Sequence, residues 1–190
     1  MNYSGLKSAF QWLLGKSPNQ KEARQTPYQM LVADVVKSAT SVETFDNVAF
    51  DNCTKNLLEA SIATTWMIVQ SFHGMNNRKL NLAAELAIEL SFESWSTEYT
   101  NQDISNLVQP LFKRRMNQYN RVFVLQNGEQ PQTPILRLGK IIVQNVIGEK
   151  EAHIAQIIAV SLIGWQTISM LGAELKSLDK RGLVNWEIAT

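Results

Sequence analysis

A run of 20 residues without a charge, from Ile154 to Ala173, constrains the fold of this chain more than any other feature. The run has the length that an α-helix needs to cross a bilayer. Gln156 and Gln166 are costly in hydrocarbon, however. On a helix, Gln156, Thr167 and Glu174 lie at nearly the same azimuth and form a thin polar line. The pattern favours a buried core helix with one partly wet edge. A helix in an oligomer interface and a membrane span are the alternatives.

A second segment, at about 79–99, predicts a helix whose apolar residues cover well over half of its circumference. Its polar strip is narrow and contains Glu85, Glu89 and Glu93, which recur at intervals of four. A helix that is apolar on most sides lies in the middle of a bundle rather than at its edge. We therefore predict two central, strongly apolar helices, at about 79–99 and 149–178.

Helical periodicity recurs through most of the remaining chain. Further helices are predicted from Thr26-Pro27 onward, over about 52–72, from Asp103 past Pro110 to about Leu125, and over 135–147. A chain of 190 residues fits one domain. Together these predicted helices indicate an all-α fold. We expect a single-domain bundle of six or seven helices with mixed packing angles over residues 27–190.

Three segments leave alternatives open. Residues 40–52 fit either a short helix or a tight turn. Residues 121–138 fit a helix–loop–helix or a β-hairpin around Asn127-Gly128. The helical spacing of the aromatic residues up to Phe123 favours the helix. The tail over 182–190 is apolar enough to pack back on the body, in a conformation that the sequence does not determine.

The first 26 residues divide into an amphipathic helix over 1–15 and a polar linker over 16–26. A helix of this length is not stable alone in water. It must dock on the main body, on another subunit or on a membrane. We expect it to be a detachable partner-contact element, formed by Leu6, Phe10, Trp12 and Leu13.

Composition narrows the classes of partner. The net charge is +1, and nucleic-acid binding normally needs a clustered excess of lysine and arginine, so nucleic acid is not expected. Charged residues make up 18% of the chain against about 25% in typical proteins, which fits a protein partner or a homo-oligomer. The one cysteine, Cys53, cannot form an intramolecular disulfide, and no secretory signal is evident. We therefore expect a cytoplasmic protein.

The glutamate strip at 85–93 is the most conspicuous candidate for a chemical site, but its pattern is incomplete. Carboxylate di-metal bundles combine such glutamates with Glu-x-x-His pairs. The residue three positions before each histidine, His73 and His153, is not a glutamate. We expect the strip to be solvated or to pair with Arg114, Arg115 or Arg121, the first and last of which could share a helix face. No phosphate loop, nucleophile elbow or zinc motif occurs, so no catalytic, cofactor or metal residue is predicted.

These observations favour a non-enzymatic helical protein that acts through protein–protein contacts, as an adaptor, an inhibitor or immunity-type partner, or a subunit of a complex. The alternative is a membrane-associated protein anchored by residues 154–173 or by the N-terminal helix. A third alternative is an enzyme or small-molecule binder with a pocket inside the bundle. Such a pocket would hold glutamate or arginine side chains whose charges do not pair with each other.

Overall fold

Helices dominate the computed structural model, which describes residues 26–41, 56–73, 75–130, 132–148 and 152–187. The predicted N-terminal helix over 1–15 and the linker over 16–26, except for Thr26, lie outside the described residues. The same holds for residues 42–55, and therefore for most of the ambiguous segment 40–52.

The described residues form an all-α bundle of about six helices, which confirms the predicted fold class. The two-residue strands β1 (Thr26–Pro27) and β2 (Val184–Asn185) pair in parallel. Two π-helical turns, Ile104–Val108 and Thr167–Leu171, join shorter helices into longer continuous ones. The eight helical segments, which the two π turns join into six continuous helices, are α1 (Tyr28–Ser41), α2 (Leu57–Ser71), α3 (Asn77–Trp95), α4 (Asn101–Asp103), α5 (Gln109–Val122), α6 (Thr133–Ile147), α7 (Ile154–Gln166) and α8 (Gly172–Lys180).

Helix α2 lies at the centre of the bundle, and 11 of its 15 residues are buried. Its first half contributes Ile62 and Trp66 to a core cluster shared with α5, α6 and α7. Its end contributes Ile68 and Phe72 to a second cluster shared with α1, α3 and α8. Because α2 is buried along most of its length and supplies residues to both clusters, it is the element around which the others pack.

Helix α3 was expected to be central, and the structure corrects this. Its buried line consists of Ala83, Ala87, Ser91 and Trp95, whereas the leucines on either side of that line are only partly buried. Small residues let α3 approach α1 and α2 closely along one narrow face. An apolar circumference therefore does not by itself place a helix in the middle, because half-buried leucines can flank a contact made by smaller side chains.

The helix starts agree with capping chemistry. The side chains of Asn56 and Asn76 accept hydrogen bonds from the backbone N–H groups of Glu59 and Lys79, at 3.2 Å and 3.0 Å. At α4 the cap is Thr100 rather than the predicted Asp103. Asp103 is the third residue of that helix, and its carboxylate accepts a hydrogen bond from the backbone N–H of Thr100, which completes a capping box.

The described residues within 121–138 form a helix–loop–helix, so the alternative of a β-hairpin is wrong for this segment. Helix α5 ends at Val122, three residues before the predicted end at Leu125. The side chain of Arg137 in α6 donates to the carbonyl oxygens of Val122 at 3.0 Å and Val124 at 2.7 Å. It also forms an ion pair with Glu129. These bonds satisfy the carbonyls at the end of α5 and hold the loop in place.

Glu129 gives this loop a pH dependence. The backbone N–H of Gln126 donates to its carboxylate at 2.8 Å. That bond, together with Arg137, lowers the pKa of Glu129 below its usual 4.5. A carboxyl group whose folded pKa is lowered contributes stability above the unfolded pKa and loses it as pH falls through the folded pKa. We therefore expect the difference in unfolding free energy between wild type and Glu129→Gln to be constant from pH 5 to 7 and to shrink below about pH 4.5. A difference independent of pH would contradict the assignment.

The C-terminal tail packs back on the body, as predicted. Val184 is buried, and the Thr26 N–H donates to the Leu183 carbonyl at 2.9 Å. The ring of Trp186 stacks on Tyr28 with a centroid separation of 5.4 Å. Its indole N–H donates to Asp179 at 2.7 Å. The tail thus ties the start of the described chain to the end of α8.

Close packing holds α6, α7 and α8 to the rest of the bundle. A Cβ atom on Gly139 in α6 would lie 2.9 Å from the carbonyl oxygen of Ile157 in α7 and 2.1 Å from Ser161 Oγ. A Cβ atom on Gly172 in α8 would lie 2.6 Å from the carbonyl oxygen of Ser71, at the end of α2. Both contacts involve backbone atoms of a neighbouring helix, so they fix the distance between helices.

Replacing Gly172 by alanine is expected to lower the free energy of unfolding by about 1–3 kcal/mol, because the Ser71 carbonyl cannot move without shifting α2. The matched control is Gly164→Ala, whose Cβ would meet the flexible end of Met67 at 3.3 Å. Alanine also gains roughly 0.5–1 kcal/mol in a helix, so the control should be neutral or stabilised. Urea unfolding followed by circular dichroism compares the two. Equal stability of the two variants would contradict the close approach of α8 to α2.

Candidate functional site: an exposed apolar stripe

Six large apolar side chains lie together on the outer surface of α6, α7 and the following π turn. We call them the apolar stripe, and between 43% and 75% of each is exposed. An exposed leucine is ordinary, but a contiguous row of large apolar side chains on a rigid helix usually marks a contact surface. The apolar stripe consists of Leu136, Ile154, Ile158, Leu162, Trp165 and Met170.

Helical geometry aligns the members from α7. At 100° per residue, the four positions from Ile154 to Trp165 lie within about 80° of each other. The opposite side of the same helix carries Val160 and Gly164, which are buried, and the buried Thr167 follows one turn later. Helix α7 therefore has one face in the core and one apolar face in solvent.

The member from α6 widens the stripe near its middle. A Cβ atom on Gly164 would lie 3.5 Å from Ile135 Cδ1, so the start of α6 passes the end of α7 at this level. Leu136 follows Ile135 and is exposed. It therefore adds an exposed apolar side chain on the helix that packs against α7.

The expectation of a buried core helix is wrong for this segment. Only 28% of the most apolar 18-residue window in Ile154–Lys180 is buried. The predicted polar line faces the body rather than solvent, since Thr167 is buried and Gln156 and Glu174 are half-buried. The physical reason is that α2 and α6 pack against the side with small residues, such as Gly164 and Gly172. The bulky side chains are left on the outer side, and Trp165 is one of them.

Length and composition alone would allow the same helix to cross a membrane. In the described part of the chain, Ile154–Lys180 is the one helix that passes this test, with a mean hydropathy of 1.6. The criterion is a weak one, because the core helices of soluble proteins pass it too.

A buried ion pair lies on the other side of the bundle, between α2 and α5. The guanidinium of Arg115 donates from Nε to both carboxylate oxygens of Glu59, at 2.9 Å and 2.8 Å, and from Nη2 at 2.5 Å. Burial alone would lower the pKa of Arg115, but the hydrogen bond and charge of Glu59 outweigh it, and the pKa lies above its usual value. Arg115 therefore stays charged, and three of its hydrogen bonds go to the Glu59 carboxylate.

Neutral side chains continue this pair into a small polar network. Gln118 accepts from Arg115 Nη1 at 2.8 Å and from the Asn145 amide at 3.2 Å. The same amide donates to the Tyr119 hydroxyl at 3.2 Å. Burial raises the pKa of Tyr119 well above its usual 10.0, so the phenol stays neutral. The network joins α2, α5 and α6 through neutral groups and one closed ion pair.

The structure does not bring the glutamates of the predicted polar strip together with the arginines that were expected to pair with them. Glu85, Glu89 and Glu93 are all exposed on α3, and among the described residues none of them forms an ion pair with an arginine. Arg114 and Arg121 do share a face of α5, where they line a shallow depression open to solvent. The arginine that the sequence grouped with them, Arg115, pairs with Glu59 instead.

Two further expectations concern the remaining candidate residues. Leu6, Phe10, Trp12 and Leu13 lie outside the described residues, so their predicted contact role stays a prediction. Within the part of the chain that the structure describes, no group of three or more histidine, cysteine, aspartate or glutamate side chains could hold a metal ion.

The geometry thus defines an all-α bundle that presents a row of apolar side chains on one helical hairpin. No protein family, curated protein or solved structure matches the chain.

Sequence reasoning missed both the apolar stripe and the Glu59–Arg115 pair. Glu59 did carry a signal, because it is the only charge between Leu57 and Gln70 in an otherwise uncharged helix. A lone charge in such a segment requires a partner when it is buried. The uncharged run at 154–173 includes most of the stripe, but the run gives no sign of which side faces solvent.

Proposed function

We propose that this chain is a cytoplasmic, non-enzymatic protein that acts through protein–protein contact, and that the apolar stripe is its contact surface. The observation that carries the proposal is the exposure of six large apolar side chains, five of which lie along a helix with no charge between residues 154 and 173. Monomeric proteins rarely expose contiguous apolar patches of more than a few hundred Å² unless the patch binds something.

The rigidity of the surface supports a protein partner. The stripe stands on α7, which is held against α6 and α2 by close contacts at Gly139 and Gly172. A preformed helical surface of this kind fits another helix laid along it, with side chains at intervals of three and four as anchors. Such a surface loses little conformational entropy on binding.

Charge distribution argues for a protein rather than a lipid surface. Helices that lie on membranes carry lysine and arginine beside their apolar face, where they meet anionic headgroups. Within α6 and α7, whose residues are all described, the exposed cationic side chain is Lys140 alone. A single lysine gives little attraction to an anionic bilayer.

The buried charges support a non-enzymatic role. The pocket expected of an enzyme would hold glutamate or arginine side chains with unpaired charges. Glu59 and Arg115 instead neutralise each other through three short hydrogen bonds. Each group is therefore held by the other and presents no unpaired charge to a ligand.

The test compares two leucines of equal exposure. Leu162 in the stripe is 54% exposed and Leu125 in the loop after α5 is 53% exposed. The tagged full chain, its Leu162→Lys variant and its Leu125→Lys variant are purified from the cells that produce the protein. We expect a partner in stoichiometric amount, either a different protein or a second copy of the chain, to copurify with wild type and with Leu125→Lys. The same partner should be lost from Leu162→Lys. Equal retention by all three would contradict the proposal, as would flotation of the wild-type chain with vesicles of neutral and anionic phospholipid.

A further inference from the structure

We infer that the occupant of the apolar stripe is the same stripe of a second copy of this chain, laid antiparallel across a two-fold axis at Leu162. The inference rests on the proposed function and adds the identity of the partner. Closed two-fold dimers are the commonest oligomers, and their interface requires a surface that is complementary to itself.

The order of side chains along the stripe is nearly symmetric about Leu162. Ile154 and Met170 lie eight residues before and after it, and Ile158 and Trp165 lie four before and three after. In an antiparallel pair, Leu162 of one copy meets Leu162 of the other. Ile154 then faces Met170 of the second copy, and Ile158 faces Trp165. Every large apolar side chain of the helix thus meets an apolar partner.

The π turn after α7 contributes to this symmetry. In a regular helix Met170 would point about 120° away from the middle of the stripe. The π turn Thr167–Leu171 takes more residues to complete one rotation, which turns Met170 back toward the stripe, where it is exposed. The turn also keeps Leu171 and Gly172 in the core. The wider turn therefore lengthens the apolar surface without loss of core packing.

Electrostatics permit two identical surfaces to meet. A two-fold axis places identical groups opposite each other near the axis, so a charge there would repel its own copy. No charged residue occurs between 154 and 173, and the residue on the axis is a leucine. The surface can therefore approach its own copy without repulsion.

The available area also suits a dimer. Six large side chains at 43–75% exposure present on the order of 600 Å². A stable interface buries about 800 Å² on each partner. The difference is supplied by a polar rim and by two exposed alanines that border the stripe, Ala155 and Ala173. The stripe is thus large enough for the apolar centre of a standard interface and lies at the upper end of the apolar patches that monomers expose.

The first experiment measures mass in solution by sedimentation equilibrium between about 1 and 100 μM. We expect a particle of twice 21.5 kDa for wild type and for Leu125→Lys. Leu162→Lys sets two ammonium groups against each other on the axis and should weaken dimerisation at least 100-fold. Trp165→Ala should weaken it about 10-fold to 100-fold, and it provides a second variant if Leu162→Lys does not fold by circular dichroism.

The second experiment tests the antiparallel register by cysteine crosslinking in a Cys53→Ser background. Leu162→Cys should form a disulfide-linked dimer under mild oxidation, because its two copies meet at the axis. Ile154→Cys alone should not crosslink. A mixture of Ile154→Cys and Met170→Cys chains should crosslink to each other. Crosslinking of Ile154→Cys with itself would show a parallel pair and overturn the arrangement.

The outcomes separate this inference from the proposed function. A wild-type chain that is monomeric at 100 μM overturns the inference. If a different protein is still retained in a manner that depends on Leu162, the proposed function stands. If the full chain is monomeric but dimerises when residues 1–16 are removed, the N-terminal segment is the occupant, and the inference is overturned for the full chain. If wild type and Leu162→Lys are equally dimeric, another surface forms the dimer, and the inference is wrong.

Discussion

Replacing Glu59 by alanine is expected to lower the free energy of unfolding by about 3–5 kcal/mol, because it leaves the guanidinium of Arg115 buried without its carboxylate. The Glu59 side chain is 5% exposed and that of Arg115 is 16% exposed, so water can replace little of what is lost. Gln118 would remain as the acceptor for one arginine nitrogen. The variant would also leave a small void beside the core residues of α2.

Urea unfolding of Glu59→Ala and of the control Glu85→Ala measures this effect. Glu85 is exposed on α3, so its loss should change stability by no more than about 0.5 kcal/mol. The double variant Glu59→Leu/Arg115→Met should recover much of the loss, because a buried ion pair is often replaced by apolar side chains at little cost. A double variant as unstable as the sum of its single changes would show that the two side chains act independently.

The helices of this fold could be predicted from the sequence because each has local signals. Apolar periodicity located α2, α3, α5 and α6, and Gly148, which has a φ of 70°, ends α6 as expected. The loop around Gly128 was predicted as a choice between a helical and a hairpin connection. The aromatic spacing up to Phe123 resolved that choice correctly, since Tyr119 is fully buried and Phe123 packs on the same core.

What the sequence could not determine is which side of an apolar helix faces the core. The run at 154–173 is apolar nearly all round, and its thin polar line, which predicted the wet edge, faces the body instead. The direction depends on the neighbours, which meet the small residues Gly164 and Gly172 and leave Leu162 outside. Close packing against a glycine is a property of two helices together, and one sequence segment does not contain it.

The same argument applies to the Glu59–Arg115 pair. The two residues lie 56 positions apart, and each looks ordinary in its own helix. The sequence grouped Arg115 with Arg114 and Arg121 because the three are close along the chain. Adjacent positions on a helix point in different directions, so Arg115 turns into the bundle while Arg114 and Arg121 stay outside. The identity of the acidic partner follows from how α2 and α5 pack.

Trp66→Ala is expected to lower the free energy of unfolding by about 3–5 kcal/mol, as large-to-small changes of buried tryptophans do. Trp66 is fully buried at the centre of α2. Its ring packs edge to face on Phe123 at 5.3 Å and on Tyr119 at 5.9 Å. Its indole N–H donates to Asn120 at 2.8 Å. The substitution removes these contacts and leaves a cavity where α2 meets α5.

Trp165→Ala is the matched control, because it removes the same side chain from a site that is 55% exposed. At protein concentrations low enough for the chain to be monomeric, it should change stability by no more than about 0.5 kcal/mol. The comparison therefore tests the orientation of α7 as well as the core of α2. If Trp165→Ala were as destabilising as Trp66→Ala in the monomer, Trp165 would be a core residue. The outer face of α7 would then be covered by the chain itself, and the apolar stripe would not be available to any partner.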